Sequence, residues 1–168
     1  IVADGLNDDA FDVTNKGVHL DAAEFNSLTN AGNTIVVDMR NHYESEIGHF
    51  EGAITPDVDT FRDSLPIIEK ELSEYKSEKN LVMYCTGGIR CEKFSGYLLR
   101  EGFEEVYQLG GGIVSYGKDS KVRGEGFSGR CYVFDERIGV DVNRTGNNRV
   151  VSCCHHCGVA CDRYVNLS

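Results

Sequence analysis

Short apolar runs alternate with amphipathic segments along the first two thirds of the chain. Three runs, at residues 35–38, 81–84 and 106–109, are bounded by turn-forming residues, and such short runs are typical of buried strands. Apolar positions at helical spacing predict helices after Asp21, over residues 43–47, from Pro66 onward and after residue 91. Strands that alternate with helices predict the α/β class, with a parallel sheet covered by helices on both faces.

This pattern changes after Gly112, where glycines and polar residues replace the apolar periodicity. Residues 117–129 are predicted to form a loop and residues 131–135 a further strand, and the remainder is rich in cysteine but too small for a core of its own. We therefore expect an irregular lead-in at 1–17, a main domain at 18–117 and a short cysteine-rich C-terminal extension at 118–168. Because the chain begins with Ile1 rather than Met, we also expect it to be a fragment.

Composition and charge narrow the classes of function. The 168 residues are 40% hydrophobic and 26% charged, as in a soluble globular protein, and no apolar run approaches the roughly 18 residues of a membrane-spanning helix. The net charge of −10 argues against non-specific nucleic-acid binding. Residues 118–168 nevertheless hold eight Lys or Arg against six Asp or Glu. Any RNA contact is expected there, or in a part of the protein outside this chain, and a solvated charged loop is the alternative for Lys118, Lys121, Arg123 and Arg130.

The seven cysteines, an odd number, gather mainly in two places. One pair flanks a glycine-containing loop at residues 85–91 and four lie at residues 153–161, which favours a reducing, cytoplasmic compartment over a disulfide framework. The C-terminal group is typical of zinc ligands, with Cys154, Cys157 and Cys161 as three candidates and Cys153, His155 or His156 as the fourth. The sequence indicates no other cofactor.

The strongest chemical signal is a cysteine at the end of the second predicted strand. Cys85 precedes a short loop into a predicted helix, formed by Thr86, Gly87, Gly88, Ile89 and Arg90. The amides of such a loop and the positive end of the helix dipole converge on an anion, and a thiol held there has a pKa of roughly 3.5–7.5. We therefore predict that Cys85 is the catalytic thiolate and that residues 86–90 form its anion-binding loop. Arg90 is expected to support the anion by charge and planar N–H donors, and the two glycines to adopt conformations closed to other residues.

Residues around this loop have expected roles that are less specific. Cys91 either resolves an oxidised Cys85 as a disulfide or is a small apolar residue in the first turn of the helix, and both readings stay open. Asp38 and Arg40 follow a predicted strand, at the edge of a parallel sheet where ligands usually bind. We expect them to pair and shape the loop, with catalysis as the alternative. His49 is expected to be structural rather than a general base.

The number of residues between Cys85 and Arg90 distinguishes two families of enzymes that use a cysteine loop of this kind. Protein tyrosine phosphatases have five residues between these positions, whereas four lie between them here, as in the rhodanese family, whose cysteine carries a persulfide sulfur. Residues 37–54, with their Asp-x-Arg, Glu and Gly-His positions, and the glycine-rich residues 109–113 also resemble rhodanese motifs. The resemblance implies a rhodanese-like fold over the main domain, and it disfavours a phosphatase.

A narrower resemblance runs through an ordered series of motifs at residues 38–44, 59–62, 83–93, 133–137 and 154–158. Together they resemble the bacterial tRNA uridine 5-hydroxylase family, whose members hydroxylate uridine 34 in an oxygen-dependent reaction. The resemblance implies that Cys85 is the essential cysteine, that molecular oxygen is a co-substrate, and that tRNA binds through a further N-terminal domain and the C-terminal third. Sulfur transfer from thiosulfate or a persulfide, and a redox-sensing or partner-binding module that uses Cys85 and Cys91, are the alternatives.

Overall fold

The computed structural model describes residues 16–76 and 79–163, so nearly all of the predicted lead-in lies outside the described residues. A short 3-10 helix, Ser73–Tyr75, follows the third α-helix. In chain order the strands and α-helices are β1 (Val18–Leu20), α1 (Ala22–Thr29), β2 (Thr34–Asp38), α2 (His42–Ile47), β3 (Gly48–Phe50), α3 (Phe61–Leu72), β4 (Asn80–Tyr84), α4 (Ile89–Arg100), β5 (Val106–Leu109), α5 (Gly112–Lys118), β6 (Phe127–Tyr132) and β7 (Gly139–Asp141).

Four of these strands form a parallel sheet in the order β1-β5-β4-β2. In the central strand β4, Leu81 lies opposite Ile35 of β2 and Val106 of β5. A single bridge between Val37 and Ile54 adds one more pairing beyond β2. The predicted α/β class and its parallel sheet are confirmed, and the three predicted strands correspond to β2, β4 and β5. Because the strands are parallel, their carboxyl ends share one edge of the sheet, where Cys85 follows β4 directly.

Helices cover both faces of the sheet, as predicted. On one face Phe50 is surrounded by other aromatic rings, with centroids 4.7–5.1 Å from those of Phe25, Tyr84, Tyr116 and Phe127. On the other face α3 and α4 bury apolar side chains against the sheet, namely Ile68, Leu72, Phe94 and Leu98. Among the residues that the structure describes, no helix is long and apolar enough to cross a membrane.

The C-terminal extension is built into the main domain. Strand β6 pairs antiparallel with β3 on one side and with β7 on the other. Gly48 of β3 faces Gly129 of β6, and a side chain on Gly48 would lie within 2.2–2.7 Å of the Arg130 backbone. The extension also adds side chains to the aromatic face of the core, namely Val122, Phe127, Cys131 and Val142. It therefore needs no core of its own, which is what its small size predicts.

Two local expectations were wrong. Helix α3 begins at Phe61 rather than Pro66, because the Thr60 side chain accepts a hydrogen bond from the Asp63 amide and starts the helix earlier. The strand expected at 131–135 instead covers Phe127–Tyr132, where pairing with β3 fixes its position. Helix α5 was not predicted, and the loop predicted at 117–129 covers residues 119–126, between α5 and β6.

Candidate functional site

The loop between β4 and α4 folds around the sulfur of Cys85. Strand β4 ends at Tyr84 and α4 begins at Ile89, so Cys85 stands at the sheet edge just before a helix N-terminus. Gly88 has a φ of 92°, in the left-handed region that glycine favours, and its amide donates to Cys85 Sγ at 3.0 Å. Gly87 does not lie in that region and is exposed, so the conformational role predicted for the two glycines belongs to Gly88.

This environment lowers the pKa of Cys85 from 9.0 to about 6. The largest cause is a hydrogen bond from the Cys91 thiol. The Cys91 and Gly88 amides and the positive charge of Arg90 act in the same direction, while burial opposes them. Cys85 is therefore mostly a thiolate at neutral pH although only 1% of its surface is exposed. Such a thiolate is both a nucleophile and an anion already held by fixed donors.

Cys91 is fully buried in the first turn of α4, and burial raises the pKa of its thiol well above the usual 9.0. It therefore stays protonated and donates to Cys85. The sequence left two readings of Cys91 open, and the structure adds a third role, that of a hydrogen-bond donor. Neither cysteine forms a disulfide in the structure, and the resolving role remains a prediction.

Arg90 is held by a buried carboxylate rather than pointed freely at the thiolate. Its two terminal nitrogens donate to the two oxygens of Glu44, at 2.8 and 2.9 Å, and the Glu44 side chain is completely buried. The Asn41 amide and the Thr86 hydroxyl also donate to Glu44, at 2.9 and 3.4 Å. Both terminal nitrogens of Arg90 donate to Glu44 rather than to the sulfur of Cys85. Arg90 therefore acts on Cys85 through its positive charge. The Glu44–Arg90 pair was not recognised from the sequence, where Glu44 entered only as the Glu position of the rhodanese-like motif at residues 37–54.

The predicted pair of Asp38 and Arg40 is present and lies under the loop. Arg40 Nε and a terminal nitrogen donate to the two oxygens of Asp38 at 2.9 and 2.7 Å, and both side chains are fully buried. The Tyr84 hydroxyl donates to Asp38 at 2.8 Å, and Arg40 also donates to the Gly48 carbonyl at 2.6 Å. Burial and the Asp38 charge raise the pKa of Tyr84, which keeps its hydroxyl a donor. This network fixes the strand end and α2, and its burial suits the loop-shaping role.

The N-terminus of α5 supports the loop from behind. The Ile113 and Val114 amides donate to the carbonyls of Cys85 and Thr86, at 3.0 and 3.2 Å. Gly112 has a φ of 65°, and a side chain there would place Cβ 2.5 Å from both of these carbonyl oxygens. Only glycine fits at this contact. The glycine-rich motif after β5 therefore packs directly against the reactive loop. Its amides are the hydrogen-bond donors for the two loop carbonyls.

The remaining predicted residues lie outside this loop network. The His49 ring nitrogen is 2.9 Å from the Ser45 carbonyl oxygen, which suits a structural role.

The Cys154 thiol has a lowered pKa because the Cys157 and His156 amides and the Cys157 thiol donate to it. Within residues 16–76 and 79–163, however, no three His, Cys, Asp or Glu side chains are placed to hold a metal, so Cys161 does not complete a site. Zinc binding by this group remains a prediction. Of the basic candidates, Lys118, Lys121 and Arg123 are exposed and Arg130 faces Asp141 at 3.5 Å.

The chain matches two protein-family models, and it is also similar to named relatives and to a solved structure. The model of the rhodanese-like domain matches residues 21–119, and that of the rhodanase C-terminal family matches residues 128–168. A protein of Leptospira interrogans named tRNA uridine(34) hydroxylase is 55% identical over 99% of this chain, and one of the same name from Yersinia pestis is 48% identical over 99%. The structure of a protein of unknown function from Rhodopseudomonas palustris, described as a possible tyrosine phosphatase, is 22% identical with a TM-score of 0.51. That alignment covers 60% of this chain and 79% of the other, and it bears on the fold alone.

The two named relatives are considerably longer than this chain. The similarity covers 44% of the Leptospira protein and 46% of the Yersinia protein, so the chain spans less than half of either.

Proposed function

This chain belongs to the rhodanese-like domain family, and on that premise we propose that it is the rhodanese part of an enzyme that hydroxylates uridine 34 of tRNA. Cys85 is the catalytic residue in this proposal. The observation that carries it is a buried cysteine with a pKa of about 6, held by amide and thiol donors at the sheet edge. The choice of tRNA as substrate is supported by the names of relatives that match 99% of the chain.

The residues around the Cys85 thiolate have separate roles in this proposal. The Gly88 amide and the Cys91 thiol hold the negative charge on sulfur, and Arg90 adds a positive charge nearby. Glu44 keeps Arg90 in place, and the buried pair of Asp38 and Arg40 positions the strand end and helix α2. Contact with tRNA through the basic residues of the C-terminal third is part of the proposal. The oxygen dependence implied by the resemblance remains a prediction, which incorporation of labelled oxygen gas tests.

The test uses cells that lack the native gene and carry the full-length protein. Content of 5-hydroxyuridine in total tRNA is measured for the unchanged protein, for Cys85→Ala and for Ser27→Ala. Ser27 is exposed on α1, outside the loop network, and provides the control. We expect the unchanged protein and the control to restore the modification, and Cys85→Ala to abolish it. Full restoration by Cys85→Ala would refute the assignment of Cys85, and no restoration by any form would refute the reaction.

Sulfur transfer is a second candidate, favoured by the four-residue spacing of Cys85 and Arg90 and by a loop amide that donates to Sγ. In that reaction the Cys85 thiolate takes the outer sulfur of thiosulfate and releases sulfite, and the resulting persulfide passes its sulfur to cyanide as thiocyanate. Thiocyanate formation that depends on Cys85, in a protein that restores no 5-hydroxyuridine, would favour this candidate over the first.

A further inference from the structure

A row of aromatic side chains lies on the surface beside the reactive loop. Tyr43 of α2 meets Tyr132 of β6 with ring centroids 5.4 Å apart, and Tyr132 meets Phe134 at 5.1 Å. We call these three residues the aromatic ladder. Both contacts are edge-to-face, at interplanar angles of 73° and 76°. Phe134 ends the row and is 69% exposed, the largest exposure of any bulky apolar side chain among the described residues.

The turn that carries Phe134 is held firmly in this position. The Val133 amide donates to the Ile138 carbonyl at 2.7 Å, and the Ile138 amide donates to the Asp135 backbone carbonyl at 3.0 Å. Arg137 forks onto the Asp135 carboxylate at 2.6 and 3.0 Å. Ile138 has a φ of 58°, an uncommon conformation for a β-branched residue. Such a conformation is retained where the surrounding structure fixes it, as the hydrogen bonds of this turn do for Ile138.

The ladder is continuous with the candidate active site. Asn41 links Tyr43 to Glu44, because its side-chain amide donates to the Tyr43 hydroxyl and its backbone amide donates to the Glu44 carboxylate, both at 2.9 Å. Cys131, which precedes Tyr132 in β6, forms a side-chain hydrogen bond with Thr86 of the reactive loop. A planar group lying on the ladder would therefore be close to the reactive loop while remaining on the surface.

We propose that the aromatic ladder is a stacking platform for unpaired nucleobases of the RNA substrate, beside the base that reaches Cys85. The inference rests on the proposed function and extends it by naming the surface that takes the single-stranded part of the RNA. Every base offers a planar face, and stacking on an aromatic side chain contributes about 1–3 kcal/mol per base. A duplex hides those faces, so the ladder selects a loop over a stem.

The test replaces Phe134 in the full-length protein with Ala, Leu or Trp. Binding is measured by fluorescence anisotropy with a labelled anticodon stem-loop that contains uridine 34, and with a fully paired duplex. We expect Phe134→Ala and Phe134→Leu to weaken stem-loop binding roughly 5- to 150-fold, the range that corresponds to one stacked base. Phe134→Trp should restore it, duplex binding should not change, and the exposed Val18, replaced by Ala, is the control.

Two outcomes would overturn the proposal. Equal stem-loop binding by the Phe134→Leu, Phe134→Trp and unchanged proteins would show that stacking on an aromatic ring is not needed. Equal losses of stem-loop and duplex binding would show that the contact does not select unpaired bases. Binding is read without hydroxylation, so a protein that binds through Phe134 but forms no 5-hydroxyuridine refutes the proposed function and keeps the platform.

Discussion

Replacing Cys91 with Ala tests the cause of the low Cys85 pKa. The Cys91 thiol is the largest contributor to that pKa, and its own raised pKa keeps it protonated as a donor. The substitution removes this donor while the backbone amides of residues 88 and 91 and the charge of Arg90 remain. The pKa of Cys85 should therefore rise, while the conformation of the loop stays the same.

The expected size follows from the strength of one hydrogen bond to a charged group, about 1.5–3 kcal/mol. At about 1.4 kcal/mol per tenfold change in acidity, the pKa of Cys85 rises from about 6 to roughly 7–8. The thiolate fraction at neutral pH then falls from about nine tenths to about a quarter at the middle of that range. Cys91→Ser keeps a hydroxyl donor and should retain most of the depression.

The assay is the pH dependence of Cys85 alkylation by iodoacetamide, quantified by mass spectrometry on the peptide that contains Cys85. Peptide-level measurement separates Cys85 from the other cysteines. Only the midpoint of the profile is compared, because the intrinsic nucleophilicity of a thiolate changes with its pKa. An unchanged midpoint near pH 6 in Cys91→Ala would refute the reasoning, and the loop amides and Arg90 would then be the main cause.

Three further predictions concern folding stability, each measured by urea unfolding under reducing conditions. Because the unfolded chain keeps the Cys85 proton up to about pH 9 and the folded protein releases it near pH 6, stability should rise across this window, by up to about 4 kcal/mol relative to Cys85→Ala. Gly112→Ala should cost at least about 2 kcal/mol more than Gly102→Ala, since both have positive φ but a side chain at Gly102 meets nothing within 4 Å. Glu44→Gln should cost about 3 kcal/mol, because it leaves the largely buried Arg90 without its charge partner. Equal losses for the two glycine variants, an unchanged stability of Glu44→Gln, or a flat pH dependence would contradict the respective prediction.

Local patterns in the sequence were sufficient for much of the fold and for the centre of the site. Asp21 caps α1 through the Glu24 amide as its spacing predicts, since a cap involves residues three apart. The apolar runs became the core strands because parallel strands are buried on both faces. Cys85 and its loop were recognisable because strand, thiol, glycine and helix follow one another without a break.

The features that the sequence did not predict depend on contacts between distant residues. The pairing of Glu44 with Arg90 joins side chains 46 positions apart, and nothing in either local segment specifies it. Helix α5 begins with glycines that favour a turn, and it forms because its first amides bond to the carbonyls of Cys85 and Thr86. Strand β3 is only three residues long, and its pairing with β6 follows from tertiary packing rather than from periodicity.

The antiparallel pairing of β3 with β6 has a consequence for where the chain can be cut. A recombinant fragment that stopped at residue 119, the end of the rhodanese-like match, would leave Gly48–Phe50 with an open edge of unpaired amides and carbonyls. It would also lack Val122, Phe127 and Val142. The aromatic side chains around Phe50 would therefore be exposed to solvent. We expect such a fragment to self-associate through that edge, because β6 and Val142 lie past the end of the rhodanese-like match.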